Sequence, residues 1–292
     1  METRDADMDF SKAMRLGSAG VLLCAGAVLG TVLQAVLRLG FFDLDTGFYT
    51  DGGVAAWLGL LLPLAAGGLA VWLCVKHKGR LGGWAAGRRP VAGALAAASG
   101  GVLLWAGAVL AADYAGYAKT GLSRYESAGQ WVHIAFFAMC LLFGVAQLVL
   151  AGGLFSGRML LVRWPLLYLP AALWGAAYMV LTYVFYAKSS AVVENLHTMG
   201  GAAALFLGLL YLCRLLAGVD APGAGLWMAI TGGVAVLLGA PYQAADLVLR
   251  LTGRAYAGEM PVELQLCGLA VALFMLAVIV GYLQGCGEDA AG

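Results

Sequence analysis

The sequence predicts an all-α, polytopic membrane protein, an eight-transmembrane-helix bundle with short loops. Three observations carry that expectation. The 292 residues are 62% hydrophobic and 11% charged, whereas soluble domains are about half apolar and about a quarter charged. The apolar residues gather in eight runs, each near the ~20 residues that the hydrocarbon core of a bilayer requires of a helix. None of these runs alternates apolar and polar residues as a membrane barrel would, so each segment must satisfy its own backbone amides as a helix.

The first helix is expected near 16–38. Lys12 and Arg15 precede it as they would a signal peptide, but the apolar stretch runs on through Val36 and Leu37 without a small-residue cleavage site. Signal-peptide cores are about 7–15 residues long, so this helix is expected to be retained. Gly26 and Gly30 allow a neighbouring helix to approach closely, within the bundle rather than between protomers. The second helix, near 54–75, contains Pro63, and the third, near 91–112, follows the basic stretch KHKGRLGGWAAGRRP. The fourth and fifth lie near 129–154 and 165–187, with Gln147 in the one and Pro170 in the other. The sixth, seventh and eighth lie near 197–216, 225–248 and 262–284. In the seventh, Pro241 removes a backbone donor and is expected to kink the helix. Together they form one transmembrane domain over 1–292.

Orientation follows from the cations. Most of the 17 Lys and Arg lie in the connections that alternate with those holding Arg38, Lys119, Arg124, Lys188, Arg250 and Arg254. Cytoplasmic loops retain this excess, so both termini are expected inside a bacterial cytoplasmic membrane. Trp57 and Trp131 fall near the predicted outer ends of their helices, and Trp72, Trp164 and Trp227 near inner ends, as interfacial anchors should. The basic inner loop is explained by the same bias. Its alternative use is to hold anionic lipid headgroups, and nothing in it interleaves as a nucleic-acid surface would.

The first outer loop, FFDLDTGFYTDGG at 41–53, contains the triplet of an aspartic protease. That chemistry needs two carboxylates sharing a proton, and the chain has one such triplet and no β-rich sequence to support it. A calcium loop is excluded by position: counting from Asp43, the sixth residue is Phe48 and the twelfth Val54, where Gly and Glu are required. Asp45, Thr46 and Gly47 suit a tight hairpin loop closed by glycine. Tyr49, Tyr117, Tyr186 and Tyr256 recur at outer connections. Little else aligns between those segments, so hairpins of similar length account for the recurrence better than an ancestral repeat.

Ionisable side chains inside a membrane mark sites, and the central third of every predicted helix lacks them. Gln34, Gln147 and Thr182 are deep polar residues suited to interhelical hydrogen bonds. Polar chemistry gathers at the outer ends. Glu126 and His133 are seven apart, Glu194 and His197 three apart, and Tyr242, Gln243 and Asp246 follow Pro241. These seven residues are the candidate ligand-binding cluster. Carboxylate-bridged dimetal bundles need two Glu-x-x-His motifs, and the chain has one, so no cofactor is expected. A divalent metal at Glu194, His197 and His133 is the residual alternative. The six cysteines offer no CxxC pair and no outer disulfide, and read as small apolar residues.

A transporter or permease-like protein, binding a small molecule at an outward-facing polar site, is the leading functional expectation. In that reading Pro63, Pro170 and Pro241 mark broken helices lining a cavity. A non-catalytic scaffold or accessory subunit, in contact with a membrane-protein partner or a second copy of itself, is the alternative. An enzyme embedded in the lipid bilayer is third. No nucleic-acid partner is expected.

Overall fold

The computed structural model describes residues 2–43, 49–51, 53–84, 87–120, 130–158, 160–186, 195–253 and 260–288, for the backbone alone at residues 2–15, 55, 130, 287 and 288. It contains eight helices long and apolar enough to cross a bilayer, and no strand among the described residues. The chain is a multi-pass membrane protein. We number the helices α1 (Glu2–Phe41), α2 (Val54–Lys76), α3 (Pro90–Thr120), α4 (Gln130–Ser156), α5 (span Pro165–Tyr186), α6 (span Leu196–Leu216), α7 (Ala221–Leu251) and α8 (Val262–Glu288). The spans follow the apolar runs closely. The largest departures are in α1, where the helix begins at Glu2 although it is expected from about 16, and in α3, which continues past the expected end near 112 to Thr120. Helix α1 begins at the same end of the bundle where α8 finishes, hereafter the terminal end, and the opposite end is the distal end.

Helices adjacent in sequence pack as antiparallel neighbours in most pairs, and long-range contacts join α1 to α7 and α8, α3 to α8, and α2 to α7. Helix α7 is central and α2 peripheral: 67% of the α7 window is buried against 33% of that in α2. In lipid no hydrophobic drive brings helices together, so small residues and polar bridges have to. A Cβ added to Gly208 would stand 3.0 Å from the Gly232 backbone, and one added to Gly201 would stand 3.1 Å from Gly239. These contacts set the α6–α7 crossing. Gly100 and Gly144 meet in the same way between α3 and α4. On α1, Gly26 and Gly30 pack inside the bundle, Gly26 against Leu237 and Ala66 and Gly30 against the rings of Pro63 and Pro241.

Gln147 is fully buried and ties three segments: its Nε2 donates to Ser99 Oγ at 3.2 Å and its Oε1 accepts from the Tyr168 hydroxyl at 3.1 Å. Aromatic rings fill the space between α4 and α5, where Trp174 stacks on Tyr178 at 5.0 Å and Phe143 packs 5.4 Å from Trp174. All six cysteines are free, and four of them are buried. Cys140 accepts a hydrogen bond from Trp174 Nε1 at 3.2 Å. The interfacial tryptophans are exposed at the two ends as expected, Trp57 and Trp131 distally and Trp72, Trp164 and Trp227 at the terminal end.

Two helices are irregular at the distal end: α5 finishes in a π-helical turn, Thr182–Tyr186, and α6 starts in another, Leu196–Gly200. Pro63 and Pro241 lie inside their helices. Pro170 does not, because it stands in the first turn of the α-helical part of α5 (Leu169–Leu181) after a 3-10 turn, where its missing N–H is not needed. It breaks no helix interior. The expected hairpin turn at Asp45–Gly47 lies outside the described residues. Its stems do meet, since Phe42 and Tyr49 form an antiparallel bridge and Thr50 N–H donates to the Phe41 carbonyl at 2.8 Å.

Substituting Gly208 by Leu should force α6 and α7 apart and lower the melting temperature in detergent. Gly152→Leu, where an added Cβ meets nothing within 4 Å, should melt close to wild type. Equal melting of the two variants would contradict the glycine crossing.

Candidate functional site

Helical spacing builds the site from two stripes. On α1, Gly26, Gly30, Gln34 and Arg38 are four apart and all buried. On α7, Leu238, Tyr242 and Asp246 are four apart on one face. Residues at this interval share a helix side, so packing α1 on α7 through glycine brings the polar end of one stripe against the other.

Arg38 and Asp246 form a salt bridge, with side chains only 2% and 4% exposed. Gln265 on α8 donates from Nε2 to Asp246 Oδ2 at 3.3 Å. The Arg38 guanidinium lies 4.1 Å from the centre of the Tyr242 ring and 5.2 Å from that of Phe42. A buried ion pair is tolerable when further groups satisfy both partners, and cation–π contact adds about 2 kcal/mol when desolvated.

His197 extends the cluster to α6. Its ring stacks on Tyr242 at 5.6 Å. Nδ1 lies 3.0 Å from the Leu238 carbonyl, which can only accept, so Nδ1 carries the proton. Nε2 is then the acceptor, and Gln34 Nε2 donates to it at 3.0 Å. The neutral tautomer is thus written in the geometry, beside the Arg38 cation. Gly59 of α2 makes room for Gln34, since a Cβ there would stand 2.7 Å from the amide nitrogen. Gln34 Oε1 and Gln265 Oε1 are buried without a hydrogen-bond partner among the described residues.

Of the seven sequence candidates, the structure brings His197, Tyr242 and Asp246 together. Gln243 points to the other side of α7: its Nε2 donates to the Tyr178 hydroxyl at 2.9 Å, and that hydroxyl donates to Met260 Sδ at 3.7 Å. His133 packs against Phe185 of α5, the ring centres 4.9 Å apart and the planes tilted by 49°. Glu126 and Glu194 lie outside the described residues. Arg38, Gln34 and Gln265, which complete the cluster, were not among the candidates. The signal for Arg38 was available, because its four-residue spacing from Gly26 and Gly30 turns it inward.

No family model, curated protein or solved structure matches the chain. Function has to be read from the site. Among the described residues no group of three His, Cys, Asp or Glu side chains could hold a metal ion, and both nitrogens of His197 are engaged in hydrogen bonds. The arrangement can hold a charge pair shut. It can also exchange partners: an anionic group reaching Arg38 could take the place of Asp246.

Removing one partner leaves a buried, uncompensated charge. Arg38→Ala should therefore destabilise by about 3–5 kcal/mol, and Arg38→Ala combined with Asp246→Ala by less than either single change. Additive losses in detergent unfolding would show that the two side chains are not coupled.

Proposed function

We propose that the chain is a permease-like transport protein, with the Arg38–Asp246 pair closing the distal end of a pathway along the α1–α2–α7 seam. The observation that carries the reading is an alignment of three features. The pair lies at the distal end, and next along the seam is a pinch where Gly30 meets the rings of Pro63 and Pro241. Beyond the pinch lies an apolar cavity of about 210 Å³, lined by residues including Leu23, Leu64, Gly67, Val71, Gly233 and Leu237. Two of the three helices contain an interior proline, and proline-interrupted helices line binding sites in many carriers. The π-helical turn that carries His197 is a further local irregularity of the kind that accompanies function.

The chemistry of the seam suggests the cargo. A small apolar body fits the cavity, and one acidic group matches Arg38. Opening would trade the Arg38–Asp246 contact for a contact between Arg38 and that acid. The second reading, a scaffold or accessory subunit, is supported by how tightly the seam is packed.

Access to the cavity separates them. In a cysteine-free background carrying Val234→Cys, a small water-soluble thiol reagent should label the cavity slowly. Labelling should accelerate severalfold when Arg38→Gln and Asp246→Asn are introduced together, and a short-chain carboxylate such as hexanoate should slow labelling of the protein with its pair intact. Absence of labelling in both backgrounds, with folded protein, would favour the scaffold.

A further inference from the structure

A second cavity, of about 610 Å³, opens between α3 and α8 at the terminal end of the bundle, with Cys24 of α1 on its wall. Its length is apolar, lined by Leu95, Leu276, Ala277 and Val280, and its mouth carries Arg88, Arg89 and Gln284. From Gln284 to Leu273 the α8 wall runs eleven residues, about 16 Å of helix. Val91 and Leu273, which also line it, are exposed, so the groove opens sideways toward lipid.

The cationic end is built. Arg89 lies across Gly281 and Gly285, where an added Cβ on Gly285 would stand 3.0 Å from its Nη2. Its guanidinium covers the Trp84 ring at 4.3 Å, and its amide donates to the Leu154 carbonyl at 2.9 Å. Arg88, beside it, is exposed at the rim. Lys76, Lys78 and Arg80 precede on the same connection, and Trp72 marks the interface there. Cationic mouth and apolar trough therefore stand at the depths of a headgroup and its acyl chain.

We propose that this groove binds one anionic phospholipid of the surrounding bilayer. Its phosphate would sit against Arg88 and Arg89 with the Gln284 amide, and one acyl chain would lie along Leu95, Leu276, Ala277 and Val280. Charge complementarity selects an anionic headgroup, and basic pockets between helices at this depth hold such lipids. The site is separate from the α1–α2–α7 seam and does not depend on transport.

The test uses the full chain in neutral detergent, titrated with phosphatidylglycerol, phosphatidylcholine or inorganic phosphate. Retained lipid is counted by native mass spectrometry, and melting is followed in parallel. Wild type should retain phosphatidylglycerol in preference to phosphatidylcholine and melt higher with it. Arg88→Gln should weaken that retention about fivefold, and Arg88→Lys should preserve it. Ala277→Trp, which fills the trough, should abolish retention while melting like wild type in detergent alone; if it unfolds, the Arg88 variants decide. Equal retention of the two lipids, or unchanged retention in Arg88→Gln, would overturn the proposal. So would inorganic phosphate reproducing the whole melting shift, because that would leave an ion site with no role for the acyl chain.

Discussion

A guanidinium and a carboxylate withdrawn from water inside a membrane bundle have to neutralise each other, and this requirement organises the distal half of the molecule. Arg38 and Asp246 come from helices far apart in sequence, so their pairing fixes how α1 lies on α7. Gln265 brings in α8 and His197 brings in α6. Four helices are thereby registered against one another by polar contacts whose alternatives in lipid are costly. The apolar contacts that surround them are non-directional and could not set that register alone.

Close approach is the second constraint. Polar side chains as short as Gln34 and Asp246 reach across only where backbones come together, and glycine at positions 26, 30 and 59 supplies the room. Those glycines also let two proline rings meet over α1. The same seam is held together by charge and carries two interior prolines, Pro63 and Pro241.

The fold was legible because its cause is local. Each run of about 20 apolar residues specifies a membrane helix by itself, and all eight spans follow from that rule with errors of a few residues, apart from the distal extension of α3. The site was legible in part. His197, Tyr242 and Asp246 stand out as polar groups at the distal ends of apolar helices. Arg38 was hidden by its usual meaning, since a basic residue at a helix end reads as a loop cation. The phase of the α1 glycines identifies it as inward-facing. Gln243 shows the converse error, in which neighbours in sequence were grouped although successive helix positions turn by about 100°, placing Gln243 toward Tyr178 and away from Asp246. Gln265 had no signal at all, because a glutamine near the start of an apolar helix gives no hint of which neighbour it meets.

The tryptophans of α2 bear on the surrounding lipid as well as on the protein. Trp57 and Trp72, both exposed, are fifteen residues apart, about 22 Å along a helix axis. That is short of the ~30 Å of an average hydrocarbon core. The apolar span of α2, Ala56–Lys76, is 21 residues long, about 31 Å, so the two rings stand inside its ends and lipid beside this peripheral helix meets an apolar wall matched to an average bilayer core. Because α2 is one wall of the α1–α2–α7 seam, a change in bilayer thickness that makes α2 tilt would bear directly on the packing of that seam.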